Sequence, residues 1–366
     1  MTKQHAKVII VGGGISGLSL ADELEKQGED DYLLFESNTK VGGLCSSWQD
    51  LQGEWHDFGP HIFHGRDGFD WFRELLPDCI TGVRSDVVVL ADGEVTSYPV
   101  QCACGDLSED HKIWKNYAEH CYNEYGESMF WRFFYPYNEK MFGCEIYELD
   151  CSIAGRAPRT SDRLQPYLYP KSGRFASLPE AILLRLKPSN IMTGSPVDYV
   201  DRNAKYIVSG NTCYHYDKLV WAAPISHLLK ALGRRRDVPN KYIDLVLVTT
   251  KQVPSLEFLA KYSALTSDEF YRMSAERVIK QNESQFVQYE LNLRRCAGTW
   301  FDRGEAFVVP QAYVVPTVDW IHRSKKVESD LLEDDIYLHG RAGRGFHMNI
   351  WAIVCRGKEL VNSLFQ

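Results

Sequence analysis

Residues 7–36 constrain this chain more than any other stretch. KVIIV (7–11) is a continuous run of branched and apolar residues, the pattern of a strand buried on both faces of a parallel sheet. It leads directly into GGGISG, which places Gly12, Gly14 and Gly17 at GxGxxG spacing. Residues 18–26 carry apolar side chains at helical spacing, and Gly28 supplies a stop. A second apolar run, YLLF (32–35), ends in Glu36. Strand, glycine turn, helix, strand and acid in that order predict a dinucleotide-binding unit. Gly12 permits the tight turn, Gly14 admits a pyrophosphate and Gly17 lets the helix pack on the strand. Phosphate would sit at the helix N-terminus beside Ile15 and Ser16, with Glu36 and Ser37 next to the ribose hydroxyls.

Composition narrows the partners. The 366 residues are 44% hydrophobic and 25% charged, which is ordinary for a globular chain. A net charge of -8 argues against nucleic acid as a partner, yet leaves room for a local arginine cluster that binds phosphate. No apolar run approaches the roughly 18 residues needed to span a bilayer, and the N-terminus lacks the features of a signal peptide. The ten cysteines form no CxxC pair and stand at no zinc-finger spacing. The expectation is a cytoplasmic protein with reduced thiols, no metal site and no membrane contact, its self-association left open.

The next glycines distinguish FAD from NAD. Gly42, Gly43 and Leu44 follow Glu36 closely, and this second glycine turn resembles that of the glutathione-reductase-like flavoproteins, where it approaches FAD. Two later segments resemble the remainder of such a site. One is the strand-like KLVWAAP (218–224), preceded by short strand-like runs at 190–197 and 205–208. The other is IYLHGRAGRGFHMN (336–349), a strand, a Gly-Arg turn and a helix starting near Asn349.

One loop remains, FGPHIFHGRDG (58–68). Together with VGGLCSS (41–47) it resembles UDP-galactopyranose mutase, within the wider group of amine-oxidase and protoporphyrinogen-oxidase-like flavoproteins. GEVTSYPV (93–100), YNEKMFG (137–143), Leu149 with RAPR (156–159) and GRAG (340–343) carry the same resemblance. It implies an α/β fold: a Rossmann-like FAD-binding domain with a helical lid domain and a mixed or antiparallel sheet domain. Residues 1–65, 165–235 and 330–366 would bind FAD, 66–164 would be the mainly helical lid, and 236–329 the sheet domain.

The resemblance also implies roles. His61 would lie beside the flavin, with Arg341 contacting it and the helix N-terminus at Asn349 and Ile350 facing its N1/O2 edge. The backbone at Val197 would face the adenine. Tyr137 would sit by the nucleotide phosphates, Arg156 and Arg159 on the diphosphate, and Arg272 would be a second substrate arginine. Phe142 stands where the family has a base-stacking tryptophan. If residues 58–63 run extended, His61 and Phe63 share one face and Ile62 and His64 the other. The implied activity is a mutase acting on an anionic nucleotide sugar through reduced FAD without net redox change. The alternative is an oxidase or dehydrogenase of the amine-oxidase type.

Overall fold

The computed structural model describes residues 2–59, 61–98, 100, 114–156, 166–251 and 258–365. The strand Thr2–Val11 lies centrally in a seven-stranded sheet. On one side it pairs in parallel with Tyr32–Phe35, which in turn pairs with Ile191–Met192. On the other side it pairs along its whole length with the long strand Thr212–Trp221, in register from Thr2 opposite Thr212 to Val11 opposite Trp221. Two antiparallel strands, Tyr206–Ser209 and Tyr199–Asp201, extend the sheet, and Ile336–Leu338 pairs in parallel with residues 219–221.

Alternation along the first strand explains the layers. Val8 and Ile10 point into the core that includes Leu18, Leu20 and Leu34, while Ile9 and Val11 point into a second core with Trp221 and Trp320. The helix Ile15–Lys26 and the C-terminal helix Ile350–Leu364 pack on each other. Val318–Leu332, which precedes the last strand in sequence, contributes Trp320, Val327 and Leu331 to the second core.

A second seven-stranded sheet has the order Glu305–Val314, Tyr242–Lys251, Phe286–Asn292, Arg272–Ala275, Ala260–Ser263, Val87–Val89, Val95–Ser97. Every pairing is antiparallel except that of Ala260–Ser263 with Val87–Val89, so the sheet is mixed. Residues 66–156 therefore supply two strands to this sheet as well as the helices Phe69–Leu75, Tyr117–Tyr125 and Tyr135–Phe142. A small sheet of Phe63–His64, Pro166–Pro170 and Cys79–Val83 lies apart from both large sheets in strand pairing. In the aromatic block before Tyr137, Phe130, Phe133 and Phe134 are buried and Trp131 is exposed.

Two expectations about local structure need correction. The run 190–197 is a strand only at Ile191–Met192, and Val197 follows in irregular chain. Gly59 takes φ +98°, outside the extended region, and strand geometry begins at Phe63, so no continuous extended run leads from Phe58.

Candidate functional site

The glycine turn is held by main-chain proximity. A Cβ on Gly12 would lie 2.6 Å from the Ala223 nitrogen, and one on Gly17 would lie 2.0 Å from the Gly12 oxygen. Neither position tolerates a side chain. Gly14 is different: the nearest atom to a Cβ there is the Gly43 Cα at 4.0 Å, so the two glycine turns face each other with space between them. They are fastened by the Gly42 N–H donating to the Gly13 oxygen at 2.8 Å. Gly14 caps the helix Ile15–Lys26 without a side chain, and no acid stands in the first turn. Its N-terminal donors thus point at a site that favours an anion.

Glu36 is buried beside this turn. Its Oε2 accepts from the Gly13 N–H at 2.8 Å, and its Oε1 accepts from Asn38 N–H, Asn38 Nδ2 and Ser37 Oγ. The backbone of Glu36 is bonded to Met192 and Ser195, which fixes the chain leading to Val197. Across the sheet, Gly340 has φ +71° and packs where a Cβ would meet Ser16 Oγ at 2.0 Å; a Cβ on Gly343 would lie 2.2 Å from the Trp221 oxygen. Arg341 donates from Nε and Nη2 to the Met348 oxygen at 3.1 and 2.7 Å and lies over the Tyr313 ring at 5.2 Å. It thereby braces the loop ahead of Asn349, whose side chain caps the helix that begins at Ile350 by accepting from the Ala352 N–H. Glycine cradle, uncapped helix end and terminal carboxylate together fit an FAD or a related dinucleotide.

The His61 loop borders this cradle. His61 Nδ1 lies 2.7 Å from the Gly59 oxygen, and a carbonyl only accepts, so Nδ1 carries the proton. Burial holds the ring below its usual pKa, Arg272 and Arg341 push the same way, and Asp57 opposes them. The neutral ring therefore keeps Nε2 as an acceptor. Its face stacks on Phe175 at 5.2 Å, and Phe175 leads through Phe72 to Phe63, so His61 and Phe63 do border one aromatic wall. His64 is pushed down to about 4 by burial, then by Arg84 and Arg341. Both histidines thus share their surroundings with arginines from three separate parts of the chain. Pro60 lies outside the described residues.

Arg272 opens its strand opposite Glu290. Its Nε donates to Glu290 Oε1 at 2.6 Å, its Nη2 reaches the same oxygen, and Tyr271 Oη donates to Oε2 at 2.9 Å. The carboxylate of Glu290 thus holds the guanidinium at Nε and Nη2. Tyr137 is half-buried, 6.4 Å from Tyr271 and 6.1 Å from Tyr262 between ring centres. Phe142 does not stand as an open stacking ring: it is 3% exposed and belongs to the core. The backbone of Arg156 ends a short helical segment, Cys151–Arg156, its side chain outside the described part; Arg159 and most of 101–121 also lie outside the described residues.

Sequence reasoning missed two charged residues that act on these side chains. Arg84 pairs with Asp86 and donates to Tyr262 Oη at 2.8 Å, with its guanidinium 4.6 Å from the Tyr98 ring centre. Asp57 accepts from Phe175 N–H at 2.8 Å and from Tyr169 Oη at 2.7 Å, which anchors the wall behind His61. Burial raises its pKa, and these donors oppose the rise. Neither residue sits in a spacing that announces a site. Among the described residues no group of three or more His, Cys, Asp or Glu is arranged to hold a metal, and no helix is long and apolar enough to cross a membrane.

The glycine cradle, the paired acid and the two-sheet architecture define a Rossmann-type nucleotide-binding protein, and a family described as an NAD(P)-binding Rossmann-like domain matches residues 10–77. The more particular likeness is to UDP-galactopyranose mutase. The reduced form of that enzyme superposes with a TM-score of 0.83 over 98% of this chain and 94% of its own, at 18% identity. A probable UDP-galactopyranose mutase of Klebsiella pneumoniae is 28% identical over 180 residues, covering 42% of this chain and 45% of that protein. The 15-cis-phytoene desaturase of Narcissus pseudonarcissus is 42% identical over 59 residues, which span only 10% of its length. A putative protoporphyrinogen oxidase from Exiguobacterium superposes at a TM-score of 0.71 and putrescine oxidase at 0.70, at 14% and 12% identity. The chain has the fold of the mutase and amine-oxidase flavoproteins.

Proposed function

We propose that this chain is an FAD-dependent enzyme of the UDP-galactopyranose mutase type, acting on an anionic nucleotide sugar with no net redox change. The observation that carries this reading is the gathering of positive charge about two buried histidines: Arg341, from the Gly-Arg turn, acts on both His61 and His64, Arg272 on His61 and Arg84 on His64. Guanidinium groups beside a flavin cradle would suit a substrate with a diphosphate. Reduced FAD would supply a nucleophilic ring nitrogen towards an anomeric carbon. The protein's own residues would do the remainder. Arg272, helped by Arg156 and Arg159, would hold the diphosphate, Tyr137 would border it, and neutral His61 would offer Nε2 as an acceptor to the flavin edge. Gly12, Gly14, Ile15, Ser16 and Gly17 would hold the pyrophosphate, Glu36 and Ser37 the ribose, and the chain at Val197 the adenine. Gly42, Gly43, Leu44, Gly340, Arg341, Asn349 and Ile350 would surround the flavin. In this reading residues 1–65, 165–235 and 330–366, with the helix Val318–Leu332, form the cofactor half.

The likeness to putrescine oxidase supports a second reading, an oxidase or dehydrogenase of the amine-oxidase type. One experiment separates them. The purified protein, loaded with FAD and reduced with dithionite, is offered a panel of nucleotide sugars, and products are resolved by chromatography. Isomerisation without consumption of reductant is the expected result. Absence of isomerisation, with bleaching of the oxidised flavin by small amines, would replace the mutase reading by the oxidase one.

A further inference from the structure

Lys140 lies on the helix Tyr135–Phe142, one turn beyond Tyr137, and is 7% exposed. Its ammonium donates to three backbone carbonyls: Leu265 at 2.6 Å, Ser263 at 3.0 Å and Phe270 at 3.4 Å. Ser263 ends the strand Ala260–Ser263, and Leu265 and Phe270 lie in the connection from it to Arg272–Ala275. Lys140 makes no ion pair among the described residues. The adjacent carboxylate, Asp268, accepts from Ser263 Oγ at 2.6 Å and lies 3.9 Å from Lys261. A lysine carries three donors and no acceptor, so a single head group can engage three carbonyls at once. Removing an ammonium from water without a paired anion is expensive, and an apolar residue of similar length would fill the space without that penalty. The placement therefore calls for a role other than packing.

The elements it joins supply one. The helix carries Tyr137, and the carbonyl connection runs directly into Phe270, Tyr271 and Arg272. Tyr137 already approaches Tyr271 and Tyr262 at ring-centre distances of 6.4 and 6.1 Å. At the C-terminal end of the helix, Asn292 Nδ2 donates to the Met141 oxygen at 2.9 Å.

We infer that Lys140 is a positioning residue that locks the helix bearing Tyr137 to the hairpin bearing Arg272, and so sets the gap that receives the diphosphate of a nucleotide ligand. This rests on the nucleotide-sugar reading above. The groups that act on the ammonium are Asp268, which favours its charge, and Lys261 and Arg295, which oppose it; burial is the largest influence and brings its pKa down to about 8. The lock should thus weaken as pH rises through about 8. Global stability should move the other way. The unfolded lysine keeps its proton to a higher pH, so loss of the buried charge favours the folded state over that window. That rise in stability is expected under either role, whereas a fall in nucleotide affinity over the same window is expected only of a positioning one.

The test uses full-length, FAD-loaded protein and UDP as the probe, with binding measured by calorimetry from pH 6.5 to 9.5 alongside flavin content and melting temperature. Wild type should lose affinity above about pH 8 without a fall in melting temperature. Lys140→Met should bind UDP at least tenfold more weakly at pH 7 with unchanged flavin content. Lys140→Arg keeps its charge across the range and should show no decline between pH 8 and 9.5. Wild-type affinity that is flat with pH, a decline that persists in Lys140→Arg, or Lys140→Met binding within twofold of wild type would each overturn the inference. If Lys140→Met does not fold, the other two arms decide. Failure of the wild type itself to bind UDP, TDP, GDP or ADP would sink the nucleotide-sugar reading instead.

Discussion

Around Gly12, Gly17 and Gly343 the main chain approaches itself so closely that a single added carbon would collide with backbone. Around Arg84 and Arg272, in the region of the second sheet, the chain is kept in place by guanidinium–carboxylate pairs, Arg84 with Asp86 and Arg272 with Glu290. The first wall is specified by what cannot be there, the second by charges that must be matched. A backbone approach accepts one residue type at a fixed spacing. A charge pair can be assembled from two strands at many positions. The cofactor wall should therefore fail abruptly when altered, and the substrate wall by degrees.

The largest effect is expected at Gly17. Gly17→Val places side-chain atoms against the Gly12 carbonyl, and the purified protein should carry less than about a tenth of the wild-type flavin by visible absorbance. A variant with full flavin content would break the contrast between the two walls. On the other wall, Glu290→Gln leaves Arg272 facing a neutral amide in a partly buried setting. Losing a partner from a buried pair typically costs about 3 kcal/mol or more, to be read as a shift in urea midpoint, while flavin content stays at wild type.

A pH dependence sharpens the comparison from the cofactor side. His339 is fully buried between the glycine turn and the C-terminal helix, and burial, then Arg356 and Arg344, hold its pKa down to about 3 against the opposing pull of the Ser16 backbone. The unfolded ring protonates near 6.5, so between those values the unfolded state binds the extra proton. Its contribution to stability is complete above about 6.5 and declines as pH falls, by up to about 1.4 kcal/mol per pH unit. His339→Leu should flatten that decline in chemical denaturation between pH 6.5 and 4.5; an unchanged slope would assign the acid sensitivity to other groups. The smallest effect is expected from Asn349→Ala, which removes the cap from the last helix. It should lower stability by about 1 kcal/mol, seen as a modest drop in melting temperature.

The two walls also differ in how far the amino-acid order revealed them. The first strand, the GxGxxG turn, the helix to Lys26 and Glu36 all stand where spacing put them, because each is a local demand on the backbone. The strand ending at Trp221 was legible only in part: the resemblance marked residues 218–224, and the strand runs Thr212–Trp221. Residues 190–197 were not: their geometry comes from Met192 and Ser195 bonding to the backbone of Glu36, a tertiary event with no local signal. The apolar run at residues 87–89 could be read as a strand. That its parallel partner is Ala260–Ser263 could not, since nothing in either stretch encodes the other. Phe142 misled because its position in a motif said nothing of which way the helix Tyr135–Phe142 would turn it. Arg84 and Asp57 were passed over because an isolated arginine or aspartate in a loop looks the same whether it meets solvent or a buried partner.

The long strand Thr212–Trp221 has a consequence for how the molecule is made. It is the seam of the first sheet: Thr2–Val11 lines one edge, and Ile336–Leu338 closes on its last three residues. Thr2–Val11 precedes this strand in the chain and Ile336–Leu338 follows it, each at long sequence separation. Until Thr212–Trp221 is made, the apolar residues 8–11 and 32–35 lack the strand that joins them to the rest of the sheet, and contacts so distant in sequence form slowly. The glycine turn at 12–17 packs against backbone at 222–223 and 340, so it reaches its final form only after this long-range pairing, and the early strands need shielding until their partner exists.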